Sequence, residues 1–257
     1  MLQITHGLAP TLTALNGDAT VRALLAPVDE SRLLFERSRP WNGIEQQAMD
    51  AYRCEWADRY VHHSAAIAGS RMSEPDVELV LENGYIPQHT RRRDLYMVKG
   101  IADGWAYAQL WAREPAPLTV DLVKRLHEVT ALDAPPAERG QIRAQAVDDM
   151  RLLVATVKAA AVHPIVKTIV AHLAFGSIAP FAVCNGRTSR QLLNFMLLAY
   201  GYAPVAVEHD TNRDDRHAWR QWRDNGDAIP CLEMLCLDIQ QEHQRMMDMI
   251  ATLRTPM

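Results

Sequence analysis

Two arginines three residues apart follow an Asn-Gly pair in the run Asn185-Gly186-Arg187-Thr188-Ser189-Arg190. Residues at that spacing share one face of a helix. The first N–H groups of a helix have no partner inside it, and its dipole is positive at that end, so a helix start attracts anions. Two guanidinium forks beside such N–H groups form a cradle for phosphate or carboxylate. Asn185, Gly186, Arg187 and Arg190 are therefore the expected anion-binding residues. The plainer alternative for both arginines is a surface ion pair. Cys184 precedes the same helix end, where dipole and arginines would pull a thiol toward thiolate. A nucleophilic role and simple filling of space are both open to it.

The elements that must position these residues read as helices. Apolar residues recur near a 3.6 period over residues 44–67 (Ile44, Ala48, Tyr52, Trp56, Tyr60, Ile67) and over 92–113. Thr119 opens a helix to about Ala131, and the Pro- and Gly-bearing run 133–140 is a loop. Helices follow over 144–161 and 163–178, with Pro164 in the first turn of the second. A short Pro-containing turn then feeds Asn185 into a helix to about Tyr200, closed by Gly201. A last long helix covers 232–253. No segment alternates as a strand would.

The chain has 257 residues, is 48% hydrophobic and 23% charged, and carries a net charge of −4. That suits one sizeable globular domain and excludes a disordered chain. The balance of 27 basic to 31 acidic residues gives no nucleic-acid footprint. The longest apolar stretch, 168–183, is too short and too interrupted for a membrane span, and residues 1–17 lack the pattern of a secretion signal. Four cysteines without a Cys-x-x-Cys pair argue against a disulfide framework or zinc site and for a cytoplasmic setting. The Arg- and Ala-rich, Lys-poor composition reads as GC-rich, bacterial codon usage. Homo-oligomerisation stays open. Residues 210–214 imitate the start of a calcium loop, but Asp215 and Gln221 stand where glycine and a bidentate acid belong, so a solvated loop is expected.

The run Ala179-Pro-Phe-Ala-Val-Cys-Asn-Gly-Arg-Thr-Ser-Arg190 resembles the core motif of the Fic family, His-Pro-Phe-x-(Asp/Glu)-Gly-Asn-Gly-(Arg/Lys)-x-x-Arg. It matches at Pro180, Phe181, Asn185, Gly186, Arg187 and Arg190. Likeness continues at His172, Phe175 and Ile178, at Gly140-x-x-Arg143, at the Gly-Tyr-x-Pro exit ending on Pro204, and at Ser64-Ala-Ala-Ile-Ala-Gly69, which is similar to the family's inhibitory helix. The resemblance implies an all-α Fic (Fido-like) helical domain over 46–257. Residues 46–70 would be the inhibitory-helix equivalent, 172–201 the core motif, and 1–45 an N-terminal extension. It adds Phe181 to the expected substrate-binding residues and gives His172 a hydrogen-bonded structural role.

The departures from that motif carry their own implications. Ala179 stands where the family has its general base, and a methyl group accepts no proton. Val183 replaces the acidic residue that holds magnesium and offers no oxygen to a hard cation. Cys184 replaces a glycine of the phosphate nest, and Ala68 replaces the inhibitory glutamate. The family's β-hairpin flap is shortened or absent after Arg143. The resemblance therefore implies a divergent member that does not carry out ordinary AMP transfer to proteins. It is expected to need no metal and no magnesium–ATP cofactor. Its expected ligand is a small anionic or nucleotide-like molecule, handled by a repurposed transferase or lyase. Cys184 and His63 are the candidates for proton transfer or attack, although His63 is poorly aligned with the pocket-facing position 68. The alternatives are an inactive binding module, or an adenylyltransferase disabled by an experimenter at positions 68 and 179.

Overall fold

The computed structural model describes residues 7–112, 118–209 and 212–255. Among them are eleven α-helices and no strand: α1 (Leu8–Gly17), α2 (Ala19–Arg37), α3 (Gly43–Ile67), α4 (Glu74–Asn83), α5 (Arg92–Ala112), α6 (Val120–Thr130), α7 (Val147–Ala159), α8 (Pro164–Ile178), α9 (Asn185–Ala199), α10 (Asn212–Asn225) and α11 (Ile229–Arg254). No helix among the described residues is long and apolar enough to cross a membrane.

Helix α8 is the centre of the bundle. It is buried on nearly every side, through Ile165, Val166, Ile169, Val170, Leu173, Phe175 and Ile178, which is why its sequence is apolar all round. Each such side chain contributes about 1.5–3 kcal/mol of hydrophobic stabilisation. His163 caps it, its Nδ1 accepting the Ile165 N–H at 3.2 Å. Helix α9 packs against α8, α5 and α6 and buries Leu192, Leu193, Phe195, Met196 and Leu197. Residues 8–37 are not a loose extension. Leu8, Leu12, Val21, Leu25 and Val28 belong to the same apolar core as α8 and α9, and α2 lies along α11.

Four helices escape the periodicity argument: α1, α2, α4 and α10. Asp18 caps α2 by accepting the N–H groups of Thr20 and Val21, and a capping box between Ser73 and Asp76 starts α4. The expected loop after residue 210 is helix α10 from Asn212; residues 210–211 and the side chains of 212–216 lie outside the description. The buried face of α3 matches its expected position only in part. Trp56 and Tyr60 are buried as the period expects, but Ile44 is 69% exposed, and Met49, Val61 and Ala65 join the buried face.

Between Gly140 and α7 there is only a 3-10 turn, Ala144–Ala146, that runs straight into Val147. A β-hairpin is absent there, as expected. Helices α5 and α6 approach unusually closely. A Cβ on Gly100 would meet Thr130 O at 2.4 Å and Leu132 N at 3.1 Å. That glycine brings the end of α6, and the loop after it, against the rest of the bundle.

Candidate functional site

The loop between α8 and α9 is framed by two non-glycine residues in the left-handed region, Ala179 at φ 44° and Cys184 at φ 62°. Both positions store backbone strain, so the surroundings must hold the loop. Arg143 does so at the α8 end. Its guanidinium donates to Ile178 O at 3.3 Å and also to Ala179 O, while its backbone N–H donates to Pro180 O at 2.9 Å. Asn185 closes the other end. Its Oδ1 accepts the Phe181 N–H at 2.9 Å, and its Nδ2 donates to Phe181 O at 2.8 Å.

His127, which sequence reasoning missed, is the third support. Its ring stacks on Phe181, with centroids 3.7 Å apart and planes 11° from parallel. Nδ1 accepts the Gly140 N–H at 2.8 Å. The proton therefore sits on Nε2, which donates to Val183 O at 3.2 Å. Burial, the dominant cause, lowers the His127 pKa to about 4 and keeps the ring neutral.

This loop and the start of α9 border a cleft of about 390 Å³, lined by Ile67, Ala68, Arg93, Asp133, Ala134, Pro135, Val183, Cys184, Asn185, Gly186, Arg187 and Arg190. Thr188 is the first residue of α9 whose N–H bonds back into the helix, to Cys184 O at 3.0 Å. The N–H groups of residues 185–187 precede that ladder and form the positive helix end. Cys184 supplies no side-chain cap.

The two arginines go to different partners. Arg187 forms a bidentate pair with Asp133, Nη1 to Oδ1 at 2.7 Å and Nη2 to Oδ2 at 3.0 Å, with both side chains 6% exposed. Arg190 crosses to α3, its Nε donating to Ser64 Oγ and its Nη2 to Ser64 O, each at 3.0 Å. The alternative of surface ion pairs is thus corrected for Arg187, whose pair is buried. Arg93 approaches Asp133 from outside, Nε to Oδ2 at 3.9 Å, and is 67% exposed.

Other expected site residues divide as follows. Gly186 lies open at the cleft; a Cβ there would meet only Arg190 Nη1, at 3.6 Å. Asn185 lines the cleft, but both ends of its side-chain amide are engaged with Phe181. The Phe181 ring is buried against His127 rather than in the cleft. At Cys184, burial pushes the thiol pKa up, against the pull toward thiolate expected from the helix end, and Arg187 and Thr188 offset this only in part. His63 does not line the cleft; its Nδ1 accepts the His209 N–H at 3.3 Å. His172 has the structural role expected, with Nδ1 at 2.9 Å from Ser189 Oγ and at 3.1 Å from Ser189 O.

Comparison with known proteins places this architecture. The C. elegans protein Fic-1 (aa134–508) superposes with a TM-score of 0.81 over 90% of this chain and 72% of that one, at 22% identity. The chain is a Fic-fold protein. A Fic domain containing signaling protein from Bacteroides thetaiotaomicron matches with a TM-score of 0.80 at 15% identity, covering 88% of this chain and 98% of the other. In sequence, the protein adenylyltransferase fic-1 of Caenorhabditis briggsae is 25% identical over 243 residues, 87% of this chain and 47% of that protein. The chain spans about half the length of the curated relatives it matches. No protein-family model matches it.

Within this Fic fold, Ala68 ends α3 on the cleft wall. Val183 faces the cleft with an apolar side chain, 41% exposed. Asp133, Arg93 and Ser64 are the participants that spacing did not find.

Proposed function

We propose that this Fic-fold chain binds a small anionic or nucleotide-bearing molecule in the cleft at the start of α9 and does not transfer AMP to proteins. The observation that carries this reading is the open first turn of α9 at Gly186, flanked by Arg187, Arg190 and Arg93. A magnesium–ATP complex fits the donor set poorly. Among the described lining residues the carboxylate is Asp133, both of whose oxygens lie on Arg187, and Val183 brings no oxygen at all.

A repurposed enzyme acting on that molecule is the first form of this reading. A second form, a binding or regulatory module without turnover, is favoured by one contact: Asp133 is engaged with Arg187, so it is not poised to take a proton, and burial pushes the Cys184 thiol pKa up, away from attack as thiolate. Isothermal titration with phosphate, acetate, AMP and ATP tests the shared claim. Binding of at least one small anion is expected; heat-silent titrations with all of them would contradict it. For an anion that binds, NMR of the mixture over hours (phosphorus for the phosphates, proton for acetate) separates turnover from simple binding.

A further inference from the structure

We propose that a second cavity, walled by α2, α3, α5 and α11, binds a small aromatic carboxylate, with the rings of the wall around its ring system and Arg39 on its carboxylate.

The cavity lies where the apolar interior divides. Met49, Ala203, Met246 and Ile250 form a small cluster apart from the main core. Ala203 and Met246 line the cavity on that side, with Phe35 and Tyr52 packed against their cluster. Trp56, Trp105 and Tyr202 line it from the main core. Trp56 stacks on Tyr60 and tilts against Trp105, with centroids 5.2 and 4.7 Å apart, which fixes this wall. The cavity volume is about 250 Å³. An apolar cavity of about 150 Å³ holds benzene, so a system of one or two rings fits here.

The polar groups of the wall give a cation no hold. Glu242 accepts from the Tyr52 hydroxyl, from Arg245 Nη1 at 3.1 Å and from Arg59 Nη2 at 3.4 Å, so its charge is already matched. His243 Nε2 accepts the Ala203 N–H at 3.2 Å, so the ring is neutral and its proton sits on Nδ1, 2.9 Å from Ser31 Oγ. Trp56, in the same wall, carries an indole N–H that no protein atom accepts. A buried donor left unmet costs stability until an oxygen reaches it.

The mouth is cationic. Arg39 and Arg53 line it, and both are exposed. Arg53 is paired with Asp50 at 2.9 Å. Arg39 has no carboxylate partner among the described residues; its guanidinium lies over Trp41 and Phe35, 4.6 and 5.7 Å from the ring centroids. Stacking uses the flat faces of a guanidinium and leaves the N–H groups of its edge for a carboxylate. The site is separate from the cleft at α9. Trp56 on α3 and Ala68 at its end are about 18 Å apart by helix rise, and no residue lines both cavities.

The test is isothermal titration at pH 7.5 with three molecules that share a ring system and differ in charge: indole-3-acetate, indole and tryptamine. Indole-3-acetate is expected to bind at least about five-fold more tightly than indole, and tryptamine more weakly than either. Equal affinities, or tryptamine as the tightest, would overturn the proposal, and so would no binding of indole-3-acetate. Arg39→Gln changes an exposed side chain outside the core. In that variant the preference for indole-3-acetate over indole is expected to fall below about two-fold, while indole binds as before. A preference that survives the change would overturn the role of Arg39. Gly186→Asp alters the other cleft and is expected to leave indole-3-acetate binding unchanged; its loss there would place the ligand at α9 and overturn this site.

Discussion

Asp133 places both carboxylate oxygens on the Arg187 guanidinium, 2.7 and 3.0 Å away, across 54 positions of sequence. Breaking such a buried pair leaves one charge desolvated and unpaired, at a cost of about 3–5 kcal/mol. Arg187→Ala should therefore lower the unfolding free energy measured in urea by that amount. The double change Arg187→Met with Asp133→Leu, which removes both charges, should recover most of it. Equal losses in the single and double variants would mean that the ion pair is not what Arg187→Ala breaks.

Acid should unfold this protein in a defined window. Burial lowers the pKa values of His127, His172 and His243 from 6.5 to about 4. The folded state keeps all three neutral, while the unfolded chain takes up protons below pH 6.5. Stability present above pH 6.5 is thus lost as pH falls toward 4, by up to about 3 kcal/mol for each histidine. Urea unfolding between pH 7 and 4 measures the slope. His127→Gln should reduce it by about one proton, and an unchanged slope would show that His127 is not one of the groups responsible.

Gly100 is expected to tolerate no side chain. A Cβ 2.4 Å from Thr130 O, a backbone atom, forces α5 and α6 apart, and overpacking of this kind costs about 1–3 kcal/mol. Because the loop after α6 carries Asp133, Gly100→Ala should also alter phosphate affinity. Serine scanning on the exposed face of α5 provides the control; a melting temperature for Gly100→Ala no lower than those controls would refute the packing argument.

Cys184 should alkylate slowly. Its thiol is pushed up by burial, whereas Cys54 is exposed. With iodoacetamide at pH 7.5, peptide mass spectrometry should find Cys54 modified well before Cys184. The reverse order would revive a nucleophilic role.

Helices α3 and α5 were legible from a 3.6 period, and α6, α8 and α9 from recognisable starts or stops such as Thr119, Pro164 or Gly201; the helices over 144–161 and 232–253 were also anticipated. Helix α10 was not, since its run from Asn212 to Asn225 is dominated by charged and polar residues and few apolar ones mark a face. Helix α2 was obscured by Pro27 in its interior. At the site, residue types and local spacing exposed the α9 start and its two arginines. They could not reveal what each arginine touches: Ser64 lies 126 positions from Arg190. Nor could they foresee the thiol at Cys184, because the burial that raises its pKa arises only when α3, α9 and the Asp133 loop converge.

The account rests on the open first turn of α9 as an anion site, and Gly186→Asp tests it most directly. A carboxylate there complements the helix dipole, and an aspartate replaces a helix-weakening glycine. The fold should be as stable as the natural protein or slightly more so. The same carboxylate occupies the cradle beside Arg190. Calorimetric titration with inorganic phosphate should therefore show binding to the natural chain and at least a ten-fold loss in Gly186→Asp, with an unchanged or higher melting temperature. Phosphate binding that is equal in the two proteins would contradict the account.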